Sequence, residues 1–117
     1  MGKMGPFGNL RIKQSGFALV VNWMGRSGRA YGLVGESLDQ FSMTEGDLYL
    51  IAKGGNALWV GSTADLVGDP LSRSRFRLAL DCADRVLRLV TPGADSERLS
   101  TIWDLEGAEP MQSRSAA

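Results

Sequence analysis

Residues 47–63 read DLYLIAKGGNALWVGST, and this stretch decides the fold. Two runs of mainly apolar, β-prone residues surround a Gly-Gly-Asn turn at 54–56, and all three turn residues accept a positive φ. The pattern predicts an antiparallel hairpin in which residues 47–53 pair with residues 57–63. Because nearly every position in both runs is apolar, we expect these strands to be covered on both faces of a sheet.

The rest of the chain predicts one α+β domain, similar to an α/β sandwich, built on a small central antiparallel or mixed sheet. Residues 16–35 hold two apolar runs around a Gly-bounded loop and predict an N-terminal hairpin. A chain of 117 residues is long enough for one core but not for two. We expect a single domain at 10–110, preceded by a mobile arm at 1–9 and followed by a frayed tail at 111–117.

The first of two main helices is predicted to follow the central hairpin. Pro70 suits the first turn of a helix, because its missing N–H would have no partner there. The spacing of apolar residues after it predicts that Phe76 and Leu80 are buried, whereas Arg73 and Arg77 are exposed.

A further strand and the second main helix complete the predicted fold. Residues 85–91 are β-prone and end at a Pro-Gly pair, and the helix begins at 95 or 96. Cys82, at the end of the first helix, is expected to be a small buried residue. The candidate core residues of the second helix are Leu99, Ile102, Trp103 and Leu105.

Composition removes several classes of function. The chain has no histidine, one cysteine, and thirteen basic against thirteen acidic residues. A Ser-His-Asp or Cys-His nucleophile and a Cys/His zinc site are therefore excluded, and any metal would be a hard cation on carboxylates. The single Cys82 indicates a reducing, cytoplasmic setting, and no apolar run is long enough to cross a membrane. The balanced charge lacks the basic excess that is usual in nucleic-acid binders.

The unit from residue 47 to residue 107 resembles a degenerate GIY-YIG nuclease domain. Asp47-Leu48-Tyr49 stands where that family has its first signature tripeptide, and Trp59-Val60-Gly61 stands where it has the second. The continuation at 61–66, GSTADL, is also typical of the family. The resemblance covers about half of the chain.

The resemblance implies a catalytic set that this chain matches only in part. The family cleaves a phosphodiester with a tyrosine from each strand, a helix arginine and a metal-binding glutamate. Tyr49 matches the first tyrosine, but Trp59 replaces the second, and an indole donates a hydrogen bond without acting as a base. No basic residue stands at 66–70, where the family arginine is expected. The remaining candidates are Arg73, Arg75 and Arg77 for the arginine and Asp104 and Glu106 for the metal ligand.

The resemblance therefore implies a non-catalytic binding or regulatory module on a nuclease-like scaffold, without a cofactor. It would contact nucleic acid through the three helix arginines, or bind a protein partner. Two alternatives stay open. One is a magnesium-dependent endonuclease that uses Tyr49 and one of Arg73 or Arg77. Its metal ligand would be Asp104 or Glu106. The other is a small structural or protein-interaction domain that forms homo-oligomers or binds another chain through the N-terminal hairpin. The residues expected to supply that surface are Phe17, Val20, Trp23 and Tyr31.

Overall fold

The computed structural model describes residues 20–40, 42–90 and 97–111, which form the predicted mixed α+β fold. It has one sheet and three helices, because a short helix precedes the two main helices that were predicted. The arm predicted at 1–9, and the part of the predicted tail beyond residue 111, lie outside the described residues. In chain order the elements are β1 (Val20–Met24), β2 (Ala30–Glu36), β3 (Tyr49–Lys53), β4 (Asn56–Gly61), α1 (Thr63–Gly68), α2 (Pro70–Cys82), β5 (Arg85–Leu89), α3 (Arg98–Glu106) and β6 (Glu109–Pro110).

The strands form one sheet in the order β4-β3-β5-β2-β1-β6, and every neighbouring pair is antiparallel. The central hairpin is confirmed: Tyr49 pairs with Gly61 at one end and Lys53 with Asn56 at the other. Gly54 turns the chain with a φ of 58°, a left-handed angle that costs glycine little because it has no Cβ. The N-terminal hairpin is also present, as the pairing of β1 with β2.

One bulge interrupts the central hairpin. Ile51 pairs with Trp59. The next residue of β3, Ala52, pairs with Ala57, which leaves Leu58 without a partner in β3. An extra residue bends the strand that carries it. Leu58 accordingly reaches the surface, with 39% of its area exposed.

Both faces of the central hairpin are covered, as its apolar pattern predicts. Neighbouring residues of a strand point to opposite faces, so Leu50 joins one cluster and Ile51 the other. The cluster on the inner face includes Leu105 of α3, and its other members are Trp23, Tyr31, Leu33, Leu48, Leu50, Ala52, Val60, Leu87, Leu89 and Ala108. On the outer face, α2 packs over Tyr49, Ile51, Trp59 and Val86. Each fully buried large apolar side chain contributes roughly 1.5–3 kcal/mol.

The predicted phase of α2 is confirmed. Phe76 and Leu80 are half-buried against the outer cluster, whereas Arg73 and Arg77 are exposed. The prediction for Cys82 is wrong, because its thiol is exposed. The buried stripe of α2 passes through positions 76, 79, 80 and 83, and Cys82 lies on the flank of that stripe.

Two core predictions for α3 are also wrong. Leu99 is 72% exposed and Trp103 is 54% exposed, whereas Leu105 is buried as predicted. The buried side of this helix includes the polar residues Thr101 and Asp104. Apolar spacing alone therefore selects the stripe of Leu99 and Trp103, which lies beside the buried side of the helix. No helix in the described ranges is both long and apolar enough to cross a membrane.

The burial of α2 gives a first test. We expect Phe76→Ala to lower the free energy of unfolding by about 2–3 kcal/mol, since the ring is half-buried and packs edge-on against Trp59 at 4.8 Å. Chemical denaturation followed by circular dichroism measures the change. Arg77→Ala, on the exposed side of the same helix, is the control and should change stability by less than about 0.5 kcal/mol. Equal losses in the two variants would contradict the assigned phase of α2.

Candidate functional site

A groove of about 370 Å³ lies beside β4, the strand at one edge of the sheet. It runs between α2, which covers the outer face, and α3, which covers the inner face. We call it the β4 groove. Its lining residues are Ala57, Leu58, Trp59 and Val60 from β4, Asp65 from α1, Asp69, Ser72 and Arg75 from the start of α2, and Leu99, Ile102 and Glu106 from α3.

Trp59 fixes α2 to the floor of the groove. Its indole Nε1 donates a hydrogen bond of 3.0 Å to Ser72 Oγ, and its ring packs against Phe76. The side chain is buried, because it lies between the sheet and the helix. Trp59 therefore joins β4 to α2 at the floor of the groove.

The three predicted arginines do not form one strip. Arg73 points back along the chain, where Nη1 donates to the carbonyl oxygens of Leu66 (2.8 Å) and Val67 (3.2 Å). It thus satisfies carbonyls that α1 leaves unpaired at its C-terminal end. Arg75 lines the β4 groove, and Arg77 is exposed elsewhere on α2.

Tyr49 lies outside the lining of the groove. It is on the outer face of β3, almost completely buried under α2. Its hydroxyl accepts a hydrogen bond of 2.7 Å from the backbone N–H of Thr44. The phenol therefore anchors the segment that leads into the central hairpin.

Asp104, predicted as a metal ligand, is buried and holds α3 against the turn between β1 and β2. Its Oδ1 accepts from the backbone N–H of Ser27, and its Oδ2 accepts from Ser27 Oγ and Tyr31 Oη, each at 2.7 Å. The turn approaches so closely that a Cβ on Gly25 would lie 2.5 Å from the Asp104 carboxyl. Only glycine fits at that position without displacing the carboxylate.

These contacts fix the charge states of Asp104 and Tyr31. Burial by itself would raise the pKa of Asp104, but the hydrogen bonds from Ser27 and Tyr31 outweigh it and hold that pKa below its usual value. Burial raises the pKa of Tyr31 to about 12, with a further contribution from the hydrogen bond to Asp104. At neutral pH the pair is therefore a carboxylate and a neutral phenol.

The two acidic candidates of α3 are not brought together. Asp104 faces the turn between β1 and β2, whereas Glu106 lines the β4 groove. Residues two apart on a helix do not face each other. Within residues 20–40, 42–90 and 97–111, no three His, Cys, Asp or Glu side chains are grouped as they would be around a metal ion.

Two acids in the groove were missed by sequence reasoning. Asp65 accepts from the backbone N–H of Ser62 at 2.7 Å and binds the Arg98 guanidinium, so it joins the start of α1 to the start of α3. Asp69 accepts from the N–H of Leu71 at 3.0 Å and begins α2. The signals were present in the sequence, as a Ser-x-x-Asp pattern and an Asp-Pro pair, and both are typical of helix starts.

The surface predicted on the N-terminal hairpin requires a correction. Trp23 and Tyr31 are buried, because they pair across β1 and β2 and point into the inner cluster. Val20, on the opposite face of β1, is exposed. Phe17 lies outside the described residues.

The β4 groove brings together three of the predicted site residues, Trp59, Arg75 and Glu106. The chain matches no protein-family model, no curated protein and no solved structure. Chemically, the groove combines apolar side chains with one guanidinium and several carboxylates. The hydroxyl group of Ser72 in the groove lining already accepts a hydrogen bond from the indole N–H of Trp59. This arrangement is suited to binding.

The Asp104 contacts predict a pH-dependent stability. At pH 7, Asp104→Asn should lower the free energy of unfolding by about 3 kcal/mol, since hydrogen bonds to a buried charge are lost. The folded pKa lies below the ordinary value of 3.8, so this stabilisation is present above pH 3.8 and disappears as the pH falls through the folded pKa. Urea titrations of both proteins at pH 7 and at lower pH should therefore show a shrinking difference.

Glu106→Gln is the matched control for this test, because it removes a carboxylate of the same helix that faces the groove. It should leave the stability at pH 7 almost unchanged. A stability difference between Asp104→Asn and the parent that stays constant with pH would contradict the assigned role of the Asp104 charge.

Proposed function

We propose that this chain is a non-catalytic binding module on a GIY-YIG-like scaffold, and that it binds another polypeptide chain along the edge of β4. The observation that carries the proposal is an unprotected strand edge that lies beside a groove. The module needs no cofactor. A reducing, cytoplasmic setting is part of the proposal, because Cys82 is the one cysteine of the chain and has no partner in it for a disulfide.

The two edges of the sheet differ in a way that supports strand binding. β6 is only two residues long, and those residues are a glutamate and a proline. Short length, charge and proline are the usual means of protecting an edge. β4 has six residues, NALWVG, without a charge or a proline. Among the described residues no strand pairs with its outer side, so its backbone groups there are available to an added strand.

The charges of the groove favour a polypeptide over nucleic acid. Asp65, Asp69 and Glu106 line it, and the Arg98 guanidinium binds Asp65. Two carboxylates therefore stand against the guanidinium of Arg75, and this excess of negative charge would repel phosphates. Arg73 is engaged with the carbonyls of α1, which leaves few cations for phosphate contacts, and the whole chain has no net charge.

The placements of the catalytic candidates support the non-catalytic part of the proposal. Tyr49 is buried and hydrogen-bonded to Thr44, and Trp59 donates to Ser72. Asp104 binds Ser27 and Tyr31 instead of facing solvent. A phosphodiesterase needs an accessible base and cations at one point, and these side chains lie in three different places.

Selection from a displayed peptide library tests the polypeptide-binding part. The full chain should enrich extended peptides that alternate apolar and polar residues, because an added strand presents alternate side chains to the groove. Leu58→Lys should abolish the enrichment, since it places a charge on the strand edge. Val90→Lys is the matched control, because Val90 has nearly the same exposure (41%) but lies outside the groove. Enrichment that survives Leu58→Lys would contradict the proposal.

A nuclease assay tests the non-catalytic part. We expect no cleavage of plasmid, single-stranded DNA or RNA with magnesium or manganese. Any binding of oligonucleotides through Arg75 and Arg77 should fade steeply between low and physiological salt, because it releases counterions. Robust nicking by the parent chain that is lost in Tyr49→Phe and in the triple alanine variant of Arg73, Arg75 and Arg77 would restore the endonuclease alternative.

A further inference from the structure

We propose that the polypeptide bound at the β4 groove is a second copy of this chain, so that two β4 edges pair antiparallel about a two-fold axis and join two sheets into one. The inference rests on the proposed function and names its partner. A two-fold interface uses the same surface on both copies, so that surface has to be complementary to itself. Three features of the β4 groove meet this requirement.

The first feature is the strand itself. Antiparallel pairing needs only backbone donors and acceptors, and any extended segment is complementary to itself in that respect. β4 carries no charge, so two copies brought edge to edge place no like charges opposite one another. Leu58, which the bulge pushes to the surface, gains an apolar neighbour in the second copy.

The second feature is the position of α2. It packs over the outer side of β3 and β4, so its axis lies close to the edge of the sheet. Adjacent strands are about 4.8 Å apart, so pairing of two β4 edges brings the two copies of α2 near each other on the outer face. The exposed apolar residues Leu71 and Leu78 of α2 are then available for contact between the copies.

The third feature is the order of charges along α2. Asp69, Ser72 and Arg75 line the groove at equal spacing of three residues. Two antiparallel copies of α2 with the axis beside Ser72 place Asp69 of one copy opposite Arg75 of the other, twice. The hydrogen bond between Trp59 and Ser72 puts the middle of β4 at the same level, so one axis serves both the strands and the helices. Within the described part of the chain Arg75 makes no ion pair of its own.

The whole-chain charge is compatible with self-association. The formal net charge is zero, so two copies approach without long-range repulsion. At the other edge of the sheet, Glu109 and Pro110 pair with Met24 and Trp23 and disfavour a further strand there. Pairing about a two-fold axis uses the β4 edge of both copies, so it stops at two copies and does not continue into a fibre.

Light scattering coupled to size-exclusion chromatography tests the proposal. The full chain, kept under reductant because of the exposed Cys82, should show twice the 12.6 kDa chain mass and dissociate on dilution over roughly a hundredfold range of concentration. Leu58→Lys and Arg75→Glu should each give the monomer mass, with circular dichroism spectra unchanged. Arg77→Glu, an identical charge reversal on the same helix outside the groove, is the matched control and should leave the dimer intact.

A parent chain that stays monomeric over that whole range overturns the proposal. So does a dimer that survives both Leu58→Lys and Arg75→Glu. The peptide selection separates failure of this proposal from failure of the proposed function. A monomer that still enriches extended peptides through Leu58 contradicts only the self-pairing. A monomer that enriches no peptides contradicts both proposals.

Discussion

Leu50 and Ile51 are neighbours in β3, point to opposite faces of the sheet, and are both fully inaccessible to solvent. A strand with this pattern needs a cover on each side, so one helix has to cross the outer face and another the inner face. α2 and α3 meet that requirement. Because both helices pack close to β4, they flank the edge of the sheet and leave the β4 groove between them. The groove is thus a consequence of burying the central hairpin from two sides.

Polar contacts, more than apolar ones, fix the rotation of α3 about its axis. The helix is held at its start by Arg98 on Asp65 and near its end by Asp104 on Ser27 and Tyr31. Apolar packing alone would tolerate a rotation of the helix, since Leu99 and Trp103 offer an equally apolar stripe. A buried carboxylate with three donors does not tolerate it, because rotation would leave the charge without partners. Arg26 then packs over the exposed Trp103 ring and covers part of it.

The two edges of the sheet differ in length and in residue type, and this difference links the fold to the proposals. A glutamate and a proline protect the two-residue β6, whereas β4 has only its bulge. Exposed strand edges with apolar residues are a hazard in solution unless something covers them. The proposed partner, a second copy of this chain, would cover the β4 edge.

Local pattern determined a large part of this protein. The hairpin of β3 and β4, the hairpin of β1 and β2, the phase of α2 and the α+β class all follow from runs of apolar residues, turn residues and helical spacing, which act between neighbours in the chain. The starts of α1 and α2 were also readable, from the Ser-x-x-Asp and Asp-Pro patterns.

Tertiary structure alone decided the rest. Asp104 is buried because of Ser27, which lies 77 positions earlier in the chain, and no local pattern encodes that contact. Trp103 is exposed for the same reason, since Asp104 sets the rotation of α3. Arg73 satisfies the carbonyls of α1 and Arg75 faces the groove, although both looked alike in the sequence. Spacing places a residue on one side of its own element, but which side meets water depends on partners that folding brings from far along the chain.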